Sequence, residues 1–189
     1  MGIPITGLAL SLRYALGDMQ GLNISDYELI EPINQAASLL YGRLSERYVH
    51  AVLKKMNVLM PQDTNTYMLP PDFVRVHQVI GDNEGVLVPT SINPPVPGSY
   101  RIVGQTLDAP AGTYTLEYYY IPARVKVLSD ELDVPESMRS WIEQISLAMY
   151  RKNMELAWSL VQQCENVLAG REVSHFENTG PTQVLGGRV

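Results

Sequence analysis

A change of period constrains this chain more than any other feature. Up to about residue 47, and again after residue 135, apolar residues return every three or four positions, the spacing of one helix face. Between these segments, short β-prone runs are separated by proline and glycine. Helical ends around a strand-rich middle predict an α+β fold: an antiparallel helical bundle with an inserted antiparallel β lobe and an extended C-terminal tail.

The helical ends carry their own punctuation. Leu8, Leu12 and Leu16 lie four apart, with Thr6 as N-cap and Gly17 as stop, which predicts a short helix over 7–17. Ser25 and Glu28 have capping-box spacing and Ile24 and Leu29 that of a hydrophobic staple, so a second helix is expected over 25–47. Its stripe passes through Leu29, Ile33, Ala36, Ala37, Leu40 and Leu44. Pro32 lies inside the stripe, and its missing N–H predicts either a kink or a helix proper that starts there. The closing segment opens at Pro135, with Glu136 at the positive end of the dipole. A stripe from Met138 and Trp141 to Cys164 and Leu168 then predicts one helix over 135–169, ended by Gly170. At about 1.5 Å per residue it would be roughly 50 Å long.

The middle, over 49–134, reads as strands and turns. Residues 48–59 incline to a strand and turn, and 73–80, 86–88, 100–103 and 113–121 are firmer strands, with Gly104-Gln105 as a hairpin loop. In the last of these, alternation puts Tyr114, Leu116, Tyr118 and Tyr120 on one buried face, opposite Thr115, Glu117 and Tyr119. The loop 89–98, with Pro94, Pro95 and Pro97, lacks the donors for sheet or helix and should be an extended excursion. Residues 171–189 hold Gly180, Pro181, Gly186 and Gly187 and are expected to form the tail beside a single domain over 1–170.

Charge and composition narrow the function classes. With a net charge of −6 and a pI near 5.0, the chain lacks the clustered Lys and Arg that sequence-independent DNA binding requires. The acidic balance is that of ordinary solubility, or of a wall that lets DNA slide past. Charged residues make up only 18% of the chain, which points to surface reserved for other proteins. Cys164 stands alone, so no intrachain disulfide forms. The first twenty residues lack a basic segment followed by a long apolar core, so no secretory signal is expected, and no apolar run approaches the roughly 20 residues of a membrane span.

Chemistry-bearing patterns are missing. His50, His77 and His175 are far apart in sequence and none has a partner at metal-motif spacing. Cys164 falls on an apolar stripe and should be an inert core thiol. Asp130 and Glu131 read as a solvated helix N-terminus rather than as acid and base. The tyrosines around Tyr118, Tyr119 and Tyr120 have few basic neighbours and read as core and interface packing rather than a base-stacking platform. No enzyme is expected, and no catalytic, cofactor or metal residue is assigned.

Five stretches carry a resemblance: 25–41 (SDYELIEPINQAASLLY), 67–76 (YMLPPDFVRV), 100–107 (YRIVGQTL), 118–122 (YYYIP) and the helix start after Asp133-Val134-Pro135-Glu136. In this order and spacing they resemble the head-to-tail adaptors of tailed bacteriophages, of the type called tail tubular protein A in short-tailed phages. The resemblance implies a structural virion protein of the neck: a ring, commonly a dodecamer, that docks on the portal, extends the DNA channel and offers the tail nozzle or tail tube its attachment surface. It further implies that helices 25–47 and 135–169 form the ring body, that the β lobe faces tail or channel, and that 171–189 bind the portal. Another neck or tail ring protein, a terminator or nozzle, and a non-virion soluble binding protein are the alternatives.

Overall fold

The computed structural model describes residues 2–177 apart from 48, 63, 64 and 83, and side chains as far as Gly170. A two-residue strand β1 (Ile3–Pro4) leads into α1 (Ile5–Leu16) and α2 (Asp26–Glu46). After a 3-10 turn at His50–Val52 come eight strands: β2 (Leu53–Met60), β3 (Thr66–Met68), β4 (Phe73–Gly81), β5 (Gly85–Val86), β6 (Val88–Pro89), β7 (Ser99–Val103), β8 (Thr106–Asp108) and β9 (Gly112–Tyr120). Then β10 (Glu131–Leu132), a 3-10 turn at Glu136–Met138, α3 (Arg139–Tyr150) and α4 (Met154–Glu177) complete the order.

The expected architecture, a helical bundle with an inserted β lobe and an extended tail, is therefore corrected. Among the described residues there are four α-helices and ten strands in three sheets, ordered β1-β10, β2-β9-β4-β5 and β3-β8-β7-β6. The chain is α+β with far more sheet than an inserted lobe implies. Six strands are two or three residues long, some of them paired with distant segments, such as β1 with β10, and strands so short leave no periodic trace in the sequence. The expected strand 86–88 is in fact two: Leu87 separates β5, paired with β4, from β6, paired with β7.

The single helix expected over 135–169 is also corrected. Its opening is 3-10, and it breaks at Arg151–Asn153, where Lys152 takes a left-handed φ of 56° and the Asn153 side chain accepts from the Leu156 amide at 3.0 Å, capping α4. The break folds one apolar stripe back on itself, so that Ala157, Val161 and Cys164 of α4 and Ile142, Ile145 and Ala148 of α3 join one core. Nor does Gly170 end the helix, since α4 continues to Glu177; the first seven residues of the expected tail are helical and 178–189 lie outside the described residues.

At the other end, the capping box at Ser25 and Glu28 is formed on both sides, and α2 runs unbroken through Pro32 from Asp26. Gly17 closes α1 with φ 75°. Thr6 is not the N-cap: Pro4 holds that place, and the Thr6 hydroxyl donates to the Leu128 carbonyl at 2.7 Å. Helix α2 is central. It packs against α3, with α1 and α4 on the two flanks of α3, and against the end of β9, where Tyr41 meets Tyr120 edge to face at 5.1 Å. Asn34, buried on α2, exchanges two 2.9 Å hydrogen bonds with the backbone of Val125 and so substitutes for a strand neighbour.

Candidate functional site

Strand β9 lies between β2 and β4, and its two faces are built differently. Tyr114, Leu116, Tyr118 and Tyr120 are buried on one face, as alternation requires, but Glu117 and Tyr119 on the other are buried too. Register shifts between Phe73 and Arg75 and between Val76 and Gln78 mark two bulges on β4, one at His77. The His77 Nδ1 sits 3.5 Å from the Tyr119 hydroxyl, and its ring meets that of His50 edge to face at 5.0 Å. Two histidines far apart in sequence are thus neighbours in space. Beside them Glu117 pairs with Lys55 at 2.5 Å and accepts from Gln78 at 2.6 Å. Burial works against ionisation of Glu117, yet these two donors outweigh it and hold its pKa below the usual value.

The opposite face meets the helices at Lys54. Its ammonium lies 2.5 Å from Asp72, is hydrogen-bonded to Asp133, and rests 4.0 Å above the Tyr120 ring. Burial alone would lower the pKa of Lys54, but the two carboxylates raise it above the ordinary value. Tyr118 donates toward Asp72 at 3.4 Å and its phenol is pushed up to about 12, chiefly by burial. The Tyr120 hydroxyl donates to the Asp133 carbonyl at 3.0 Å. These groups knot β2, β4, β9 and the segment before α3 into one joint. They bind one another, and Asp72 also lines a groove of about 340 Å³ with Phe73, Ile121 and Arg124.

A second polar knot fixes the turn from α1 to α2. Arg13, buried, reaches Asp18 at 2.8 Å, the Ile24 carbonyl at 2.8 Å and Asp26 at 2.9 Å. Burial disfavours charge on Asp18, but the amides of Asn23, Ile24 and Leu22 donate to it and hold its pKa low. Arg13 is the one charged residue of α1, and this knot consumes it.

Exposed apolar side chains are spread over the molecule, Tyr27, Leu59, Met68, Val74, Val103 and Val127 among them, and two groups stand out. On the helical layer, Leu10 and Tyr14 of α1 and Met19 and Leu22 of the following turn are exposed, Tyr14 at 74%; on the other flank Leu156 and Trp158 of α4 are exposed, Trp158 at 45%. Between these flanks two grooves of about 190 and 270 Å³ follow α3, sharing Gln144 and Leu147. At the far end of the sheet, Val86, Val88, Ile92 and Val96 are exposed around the proline loop. Residues 85–100 contain no charged side chain. Strands β4 and β9 separate this tip from the Tyr120 end by nine residues, roughly 30 Å of strand.

Cys164 is buried and its thiol is pushed up to about 12 by that burial, which suppresses the reactive thiolate. Asp130 and Glu131 do not form a helix N-terminus: Asp130 accepts from the Lys126 and Val127 amides and closes a turn, while Glu131 belongs to β10. The side chain of His175 lies outside the described residues. Among the described residues no group of three or more His, Cys, Asp or Glu is placed to hold a metal ion, and no helix is long and apolar enough to cross a membrane. The exposed flanks were not singled out in the sequence, although one signal was there: the polar face of α1 contains no charge. No protein-family model matches the chain, and no curated protein matches it.

Proposed function

We propose that this chain is a structural ring subunit, a head-to-tail adaptor of the virion neck. In this reading it docks on the portal, extends the DNA channel and presents the proline-loop tip of its sheets to the tail nozzle or tube. One observation carries the reading: among the exposed apolar side chains one group lies on the helical layer and another at the proline-loop tip of the sheet, while Arg43, Lys54 and Lys55 are each tied to a carboxylate. A subunit that joins neighbours within a ring and a further component beyond it needs two such surfaces. Depletion of charge with Tyr, Trp and Met at the centre is the composition of protein interfaces. The net charge of −6 suits a wall along which DNA moves without sticking.

The test is the mass of the purified protein alone and mixed with a candidate portal, by native mass spectrometry over a range of salt. A monomer that becomes a ring, up to a dodecamer, on the portal is the expected result. A small closed oligomer that ignores the portal would reassign the chain to another tail component or a non-virion binding protein.

A further inference from the structure

Helices α3 and α4 are joined by three exposed residues, Arg151, Lys152 and Asn153, and the join is made of residues that do not suit it. The Asn153 amide donates to the Ala148 carbonyl and the Lys152 amide to that of Met149, both at 2.9 Å, which is the Schellman ending of a helix. That ending needs a left-handed residue, usually glycine, and here Lys152 takes the place with φ 56°. From Glu136 to Ala169 the sequence holds neither Gly nor Pro, so no residue stands against one continuous helix. Glu155 follows Arg151 at the i,i+4 spacing at which the two would pair on a straight helix. A short, strained link between two packed elements is the setting in which an element is exchanged between copies of one chain.

We propose that α4 is an exchangeable arm: the link straightens, α3 and α4 become one helix, and α4 of one copy takes the seat that α4 of a second copy leaves. The seat fits because it is the one α4 already occupies in its own chain. There Ala157, Val161 and Cys164 enter the core shared with Ile142, Ile145 and Ala148, and Glu165 meets Arg43 at 2.9 Å and Arg47 at 3.3 Å. The same contacts form in the exchanged state, so they cancel and the link decides the balance. Straightening relieves the left-handed Lys152 and continues the helical hydrogen bonds across the break. It gives up the Asn153 cap on the Leu156 amide and the 3.4 Å bond from Arg151 to the Ala15 carbonyl. Joining two copies also costs their independent motion, so exchange grows with concentration. It requires no other protein, and stands or falls apart from the adaptor reading.

Two variants of the link move the balance in opposite directions. Lys152→Gly removes the strain of the closed form and weakens the straight helix. The triple variant Arg151→Ala, Lys152→Ala, Asn153→Ala favours the straight helix and removes the cap. All the replaced side chains are exposed, so the core is untouched. In native mass spectrometry of the full chain over a concentration series, the alanine variant should associate about tenfold more tightly than the wild type and the glycine variant about tenfold more weakly. A distance measurement reads the exchange itself. Gln144 and Leu160 line one groove, so in the closed chain Ser140 and Gln163, about one turn further on, lie side by side; on the straight helix they are roughly 35 Å apart. Spin labels on Ser140→Cys and Gln163→Cys, added to the alanine variant and diluted with unlabelled chain, should report the long distance in the oligomer; Cys164 is buried and takes no label. Equal association of the three proteins, or association of none, would overturn the exchange, as would an oligomer in which the two labels stay side by side.

Discussion

The two ends of strand β9 live in opposite surroundings. At Tyr120 charges crowd together and each is answered: Lys54 by Asp72 and Asp133, Arg124 by Glu31, and on the neighbouring helices Arg43 by Glu165. At Gly112 the strand adjoins a tip in which residues 85–100 carry no charge and Val86, Val88, Ile92 and Val96 face outward. The joint uses polarity to hold one geometry, because a buried charge or amide is stable only with its partner in place. Residues 85–100 of the tip forgo charge and expose apolar side chains that a core would hide. One end holds its geometry through paired charges, and the other leaves apolar side chains exposed.

The contrast can be broken by substitution. The largest effect is expected next to the joint, where Leu40→Asp puts an unpaired charge at a fully buried position of α2. A loss of about 4–5 kcal/mol or more should unfold the protein, visible as lost helical circular dichroism. Asn34→Ala comes next: it strands the Val125 N–H and C=O in a buried place and should cost about 2–3 kcal/mol in urea denaturation. An unchanged midpoint would mean that the Asn34–Val125 pair does not help to seat α2.

Lys54→Met should cost less, about 1–2 kcal/mol, because the ammonium is partly solvated and screened. Its sign with pH is set by the raised pKa. The Lys54 contribution is fully present below the ordinary lysine value of 10.5 and is lost as pH rises through the higher folded value. The stability gap between wild type and variant should therefore stay level through neutral pH and close in strong alkali; a gap that stays open there would contradict the assignment. Smallest of all is Ile92→Ser at the tip, expected within about 0.5 kcal/mol of wild type in thermal stability. In the adaptor reading that same variant weakens capture of the tail component in a pull-down, and a variant that binds as the wild type does would detach the tip from that role.

Local features were legible. The capping box of Ser25 and Glu28, the left-handed stop at Gly17 and the two-residue loop Gly104-Gln105, which joins β7 to β8, each depend on residues a few positions apart. The buried tyrosine face of β9 followed from alternation. The break at Arg151–Asn153 was not read, because the apolar stripe keeps its period across it; the one clue was Asn153, a good N-cap three residues before Leu156. The neighbourhood of His50 and His77 was invisible for a different reason. It depends on a 3-10 turn and a bulge on β4 being brought together by sheet pairing.

By itself, then, the sequence determined the longer helical and extended segments and the start of α2, since caps, turns and periodicity act within one or two turns of chain. Tertiary structure decided where the second stripe doubles back, which charges are spent on one another, and hence which surfaces are left neutral. Asn34 finds Val125 across 91 positions and Arg43 finds Glu165 across 122. Such pairings follow from packing, which places groups by distance in space and leaves no spacing in the sequence to mark them.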